Sequence, residues 1–347
     1  MTDSSHLRKA LAALPKAEIH VHLEGSMSPA TVSQLAARYG VRASEEEVAA
    51  RYRYDDFLGF IEAFKWATSF LRTPDDYALI ARALAEQLLA QNVIYAEATI
   101  SAGVMLWRKQ DIEKNITAIN QAALQYQSRG LQLRWIPDVV RQFGPEDAIE
   151  VARRCAGLKS EGVVAFGMGG DELALPAADF LPAYHIARGA GLHLVCHAGE
   201  IGGPSSVIEA IDVLGAERIG HGIGVAKDPA LIERLASAGV PLEVCPTSNL
   251  RTGALAGQIG KTTASMADHP IAKLVAAGIN VTISTDDPAM FEADLISEYV
   301  HAADLGITPE QLANIAEASF QAAFLPAREK NSLLESFHAA LPASGLI

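Results

Sequence analysis

A chain of 347 residues with 41 acidic and 28 basic side chains carries a formal net charge of −13. That sign argues against a nucleic-acid partner, whose phosphates call for a basic surface. Half of the residues are hydrophobic and a fifth are charged, which is globular composition with ample core, and no apolar run is long enough to span a bilayer. The stretch from Met1 to Lys9 lacks the apolar segment and cleavage site of a secretory signal. The three cysteines, Cys155, Cys196 and Cys245, show no Cys-X-X-Cys spacing and are not a disulfide framework. Together these features predict a cytoplasmic protein without a membrane partner; a homo-oligomer stays open.

The first element is Ala17-Glu18-Ile19-His20-Val21-His22-Leu23, predicted as a strand over 17–23. Residues two apart on a strand share a face, so His20 and His22 look into the same space while Ile19, Val21 and Leu23 look the other way. The connection that follows, from about 26 to 91, is too long for one crossover helix. Within it, Phe57, Ile61 and Phe64 fall at i, i+4 and i+7, one face of a helix. That face predicts a helical insertion acting as an apolar wall or lid, since ligand pockets are mostly apolar with a few polar anchors.

Further strands are predicted near 92–99, 131–138, 162–168, 192–197, 217–220, 241–245 and 279–285. Helical segments alternate with them, among them 78–91, 145–160, 177–190, 205–214, 229–238 and 270–277. Gly191, Gly239 and Gly278 stand where helices should stop. Strands alternating with helices imply parallel pairing. Eight of them predict an α/β fold, a closed (β/α)8 TIM barrel forming one domain over residues 1–347. In such barrels the active site sits at the C-terminal ends of the strands. A doubly wound sheet would gather its site at one switch point. The final residues, 340–347, are predicted to fray.

Polar groups stand where several strand signals end. The run Leu192-His193-Leu194-Val195-Cys196-His197 stops at Ala198-Gly199-Glu200, His221 lies between Gly220 and Gly222, and the β-rich segment 279–285 stops at Asp286-Asp287-Pro288. Singly, each has an ordinary explanation, such as a buried histidine or a helix cap. Jointly they supply several nitrogen ligands, a carboxylate ligand and spare acid–base groups, the inventory of a catalytic zinc site.

The chain resembles the adenosine deaminase family of the amidohydrolase superfamily. The resemblance runs through Leu14-Pro15-Lys16-Ala17-Glu18-Ile19-His20-Val21-His22-Leu23-Glu24-Gly25-Ser26, Gly169-Gly170-Asp171-Glu172, His197-Ala198-Gly199-Glu200, Ile219-Gly220-His221-Gly222, Cys245-Pro246-Thr247-Ser248-Asn249 and Ser284-Thr285-Asp286-Asp287-Pro288. It implies one zinc ion held by His20, His22, His197 and Asp286. It also implies hydrolysis of a purine 6-amino group, with Glu200 at N1, His221 beside the attacking water, Asp287 near N7 and the Gly170 N–H at N3. Glu24 matches a position that is usually an aspartate contacting the ribose 5′-hydroxyl, and Gly167 stands where an aspartate is common. Both departures put the sugar end of the substrate in question. Adenosine or 2′-deoxyadenosine is the default small-molecule substrate. A 5′-substituted adenosine such as aminodeoxyfutalosine, and free adenine, are the alternatives, with Arg251 a candidate for a distal carboxylate. A non-catalytic purine-binding protein would be expected to lose a ligand or Glu200, and none is lost. The chemistry calls for a Glu200 that keeps its proton, which a poorly hydrated site favours.

Overall fold

The computed structural model describes residues 4–54 and 57–347. Eight parallel strands run in chain order around one sheet. They are β1 Lys16–His22, β2 Val93–Ile100, β3 Gln132–Val140, β4 Ala165–Gly169, β5 His193–Ala198, β6 Arg218–His221, β7 Leu242–Val244 and β8 Val281–Ile283. The parallel bridge Val21↔Asp286 joins the end of β8 to β1. There the Asp286 N–H donates to the His20 carbonyl at 3.1 Å, and the His22 N–H to the Asp286 carbonyl at 2.7 Å. The (β/α)8 barrel therefore closes through the backbone of three residues singled out from the sequence.

Each predicted strand is present, with its ends displaced by a few residues. The helix Pro229–Ala238 has the predicted bounds, and Gly239 follows it at φ +67. The segment predicted as one helix over 205–214 is instead an α-helix, Pro204–Glu209, continued by a π-helical turn, Ala210–Leu214. The connection from β1 to β2 carries four α-helices: Pro29–Arg38, Glu45–Arg51, Phe57–Thr68 and Pro74–Ala90. Asp56, which precedes the apolar face of the third, lies outside the described residues. The chain end does not fray: Ala327–Ser344 is helical, and Phe337 and Leu346 are buried. Those apolar contacts supply what the terminal sequence alone did not announce. Among the described residues no helix is long and apolar enough to cross a membrane.

Inside the barrel the packing is partly ionic. Arg218 of β6 is buried and meets Glu97 of β2 at 2.7 Å and Glu243 of β7 at 2.5 Å, with its guanidinium 3.8 Å from the centre of the Phe324 ring. Glu97 also accepts from the Tyr95 hydroxyl at 2.6 Å and the Phe324 N–H at 2.5 Å. Three charges out of water persist only when mutually compensated, because each alone carries a desolvation penalty of several kcal/mol. Replacing Arg218 by methionine strands two buried carboxylates and is expected to cost about 3–5 kcal/mol of stability in urea unfolding. A loss below about 1 kcal/mol would contradict this role for the cluster.

Candidate metal centre and active-site cleft

β1 delivers His20 and His22 to the barrel mouth, β5 delivers His197, and the turn after β8 delivers Asp286. His22 Nε2 lies 3.2 Å from His197 Nε2 and 3.2 Å from Asp286 Oδ1, and His20 Nε2 lies 3.4 Å from the same oxygen. For cation–nitrogen bonds of about 2.0–2.1 Å in tetrahedral geometry, ligand atoms stand about 3.3 Å apart. The observed separations fit that figure.

Hydrogen bonds orient two of these rings. His197 Nδ1 faces the Met168 carbonyl at 3.1 Å; a carbonyl only accepts, so Nδ1 carries the proton and Nε2 is bare. His20 Nδ1 donates to Glu243 Oε2 at 2.7 Å, and its buried Nε2 has no partner. A histidine held by a carboxylate with its other nitrogen free is the usual arrangement behind a metal ligand. The electrostatics agree. Burial lowers the His20 imidazole, but Asp286 and Glu243 outweigh it and leave the group raised to about 10. Burial pushes Asp286 up, yet its histidine neighbours hold it well below the usual carboxylate range. A site with that appetite for positive charge fits a cation.

His20, His197, His221 and Asp286 also present ligand atoms within 4.8 Å of one another, so His221 competes with His22 as a ligand. A chain of hydrogen bonds separates them. The Ile271 N–H donates to His269 Nδ1 at 3.2 Å, which leaves the His269 proton on Nε2 to donate to Asn249 Oδ1 at 3.2 Å. The Asn249 amide then donates to His221 Nδ1 at 3.0 Å. His221 is neutral, since burial lowers it to about 3, and its proton sits on Nε2. That nitrogen faces Glu200 Oε2 at 3.6 Å and Asp286 Oδ2 at 3.9 Å as a donor, not as a lone pair. Of the two, it is His221 whose proton is fixed on the nitrogen facing the cluster.

Glu200 is placed by a residue the sequence mentioned only as part of a motif. The Glu172 carboxylate accepts from the N–H groups of Gly199, Glu200, Ile201 and Gly202 at 2.8–3.1 Å and from the Ser206 hydroxyl at 2.7 Å. Gln258 holds the opposite carbonyls, those of Glu200 and Gly202, at 2.7 Å. The Glu200 side chain is buried, and burial first, then Asp286, pushes its carboxyl up to about 8. Asp287 is raised for the same two reasons. Its Oδ1 leaves no room for a side chain on Gly25, whose added Cβ would fall 1.6 Å away.

These groups open into a cleft of about 960 Å³, its mouth included, lined by His22, His197, Glu200, His221, Asp286, Asp287 and Gly170. Phe57, Ile61 and Phe64 also line it, with Phe60, Val104, Phe143 and Phe291, as do the polar Lys65, Ser101, Asp138 and Gln142. Of the residues expected at the sugar end, Glu24 is buried in the turn Glu24–Ser26 and does not itself line the cleft; it accepts at 3.1 Å from the N–H of Ser101, which does, and its Oε2 has no hydrogen-bond partner among the described residues. A side chain on Gly167 would meet Val195, Ile136 and the Cβ of Asp138, a cleft residue, within 3.4 Å. Arg251 also lies outside the cleft wall, bonded to the Tyr52 carbonyl at 3.3 Å and set over the Tyr54 ring. Two residues went unnoticed in the sequence. Asp138 lines the cleft, and Glu243 orients His20. The visible signal for Glu243 was a lone carboxylate in the apolar run Leu242-Glu243-Val244.

Replacing Glu243 by glutamine removes the charge that orients His20. It is expected to weaken cation affinity about 10- to 100-fold in chelator competition while the fold is kept. Unchanged affinity would remove Glu243 from this role.

The family model described as adenosine deaminase matches residues 15–340. An aminodeoxyfutalosine deaminase of Streptomyces avermitilis is 41% identical over 331 residues, covering 93% of this chain and 90% of that protein. An adenine deaminase of Chelativorans sp. is 38% identical over 322 residues, covering 92% and 97%. The crystal structure of an amidohydrolase from Burkholderia ambifaria with bound zinc superimposes with a TM-score of 0.88 at 25% identity, covering 100% of this chain and 96% of that one. The end-to-end family match, on a barrel whose strand ends gather this histidine–carboxylate set, places the chain in the adenosine deaminase family, as a hydrolytic deaminase acting on C–N bonds.

Proposed function

We propose that the chain removes the 6-amino group of an adenine-bearing small molecule with one zinc ion held by His20, His22, His197 and Asp286. The substrate we favour is an adenosine substituted at the 5′ position, of the aminodeoxyfutalosine type. Zinc is supported by the nitrogen and oxygen donors at their observed spacing and by the zinc-bound neighbour. When bound, the ion supplies the Lewis acidity that makes water a nucleophile at neutral pH.

The chain's own groups do the rest. Protonated Glu200 donates to purine N1 and draws electron density from C6. The His221 Nε2–H holds the incoming water oxygen, and the Asp286 carboxylate takes its proton. Neutral Asp287 donates to N7, and the Gly170 N–H to N3. Phe57, Ile61 and Phe64 cover the bound base and keep bulk water out. Asp286 passes that proton to the amino group, which leaves as ammonia; C6 keeps the oxygen as a carbonyl, and the hydroxyl's proton restores Glu200.

The observation that supports the substrate class is the cleft itself, about 960 Å³ with its mouth and lined by Phe57, Phe60, Ile61, Phe64, Phe143 and Phe291 besides the polar groups. Aromatic and aliphatic lining on that scale suits a bulky 5′ substituent. The Streptomyces relative supports the same substrate. Adenosine, the default from sequence, has less support, because the relatives described above are named for aminodeoxyfutalosine and for adenine. Free adenine is the second reading, supported by the Chelativorans relative.

A deamination panel on zinc-replete protein tests this directly. With aminodeoxyfutalosine, 5′-methylthioadenosine, adenosine, 2′-deoxyadenosine and adenine at equal concentration, the largest kcat/KM is expected on a 5′-substituted nucleoside. A largest value on adenine moves the assignment to the second reading, and activity on none of them sinks the 6-aminopurine chemistry.

Glu200→Gln is expected to keep its zinc and lose about 10²–10⁴-fold in turnover, the usual worth of a positioned acid. The active form of Glu200 is protonated, and its pKa is raised from 4.5 to about 8. Wild-type kcat/KM should therefore hold on the acid side of pH 8 and fall about tenfold per unit above it. Near-wild-type turnover by Glu200→Gln, or an alkaline limb unchanged by it, would contradict this role.

A further inference from the structure

Asp138 ends the stretch Trp135-Ile136-Pro137-Asp138 in β3 and lines the cleft. Its side chain is 5% exposed, and its Oδ1 is buried without a hydrogen-bond partner. A buried carboxyl oxygen left without a partner is destabilising, and native proteins seldom tolerate one without a use. A side chain on Gly169 would lie 3.3 Å from Asp138 Oδ2 and 3.5 Å from His197 Nδ1. The carboxyl thus stands beside the Gly169–Gly170 edge, on the same side of the site as His197. Behind the cleft wall, Glu24 is a second buried carboxyl, and its Oε2 is also without a partner. Asp138 has no cation paired with it. Its environment asks for a donor, and the cleft is where one could arrive.

The placement of the purine comes from the proposed function, with N1 toward Glu200 and N3 toward Gly170. N9 and the sugar follow N3 around the ring, and the Gly169–Gly170 edge leads from N3 to Asp138. We propose that Asp138 is a specificity-determining residue that accepts a hydrogen bond from a donor on the five-membered-ring side of the bound purine. Two donors share that chemistry: a ribose hydroxyl of a nucleoside and the N9–H of free adenine. A site built around a buried acceptor rejects ligands that lack the matching donor, since the acceptor is then left dry and unpaired.

The test compares wild type, Asp138→Ala and the conservative Asp138→Asn on matched ligand pairs. The pairs are adenosine against its 2′-deoxy and 3′-deoxy forms, and adenine against 9-methyladenine. Readouts are kcat/KM, dissociation constants by calorimetry, and zinc per chain. In wild type, loss of the relevant donor is expected to cost about 10- to 100-fold, the worth of a hydrogen bond to a charged or buried group. In Asp138→Ala the same change should cost less than about twofold with zinc content unchanged, and Asp138→Asn, which keeps an amide acceptor, should fall between. Discrimination confined to a deoxy pair identifies a ribose hydroxyl, and discrimination confined to the methyl pair identifies N9–H. If the alanine variant does not fold, reduced discrimination by the asparagine variant supports the role, and wild-type discrimination by it overturns the role. Equal discrimination in wild type and Asp138→Ala, or none in wild type, overturns it as well. If wild type deaminates none of these compounds, the preference for a 5′-substituted nucleoside stands, and calorimetry on the same pairs decides whether Asp138 selects ligands.

Discussion

His20 Nε2 and His22 Nε2 lie 3.4 and 3.2 Å from the same Asp286 carboxylate oxygen, and His22 Nε2 lies 3.2 Å from the bare Nε2 of His197. Lone pairs gathered this closely inside protein are tolerable only around a positive charge. Much of the upper barrel is arranged to impose that convergence. The turn after β8 bonds to the backbone of both β1 histidines. Thr285, the residue before Asp286, is anchored to Glu18 through its N–H at 3.0 Å and its hydroxyl at 2.5 Å. Ser248 fixes the second Asp286 oxygen at 2.5 Å. Asp286 and His221 both take left-handed backbone angles, φ +68 and +61, which a residue with a side chain seldom adopts. Strain of that kind persists where the surroundings over-determine it.

The same site keeps its carboxyls in two different states. Asp286, ringed by histidines, is held well below the usual range and stays ionised. Glu200 and Asp287 are buried beside it, and its negative charge adds to the burial that pushes both carboxyls up. One ionised carboxyl thus favours the protonated form of its neighbours. Environments that drive like groups apart in pKa separate acid from base. A neutral His221, its tautomer set through Asn249 and His269, stands between the two kinds.

What was legible in the sequence was local or periodic. Alternation placed His20 and His22 on one face, and strand-end punctuation marked His197, Glu200, His221 and Asp286; all of these meet in the structure. Partnerships between distant segments were not legible. Glu243 is 223 residues from the histidine it orients, and the Glu172 clamp on the Glu200 loop spans 28 residues with no periodicity to reveal it. Asp138 looked like the end of an ordinary strand. Burial was equally hidden: Glu24 is held inside by the Ser101 N–H, 77 residues along the chain. The chain end looked dispensable because the contacts that bury Leu346 are tertiary.

The most direct measurement is zinc-edge X-ray absorption on protein loaded with one zinc per chain. Three imidazoles with nitrogen and oxygen donors at about 2.0–2.1 Å and no sulfur are the expected result. The scattering should lose one imidazole in His22→Ala and keep all three in His221→Ala. A loss in His221→Ala with none in His22→Ala, or a sulfur ligand at about 2.3 Å, would contradict the centre described here.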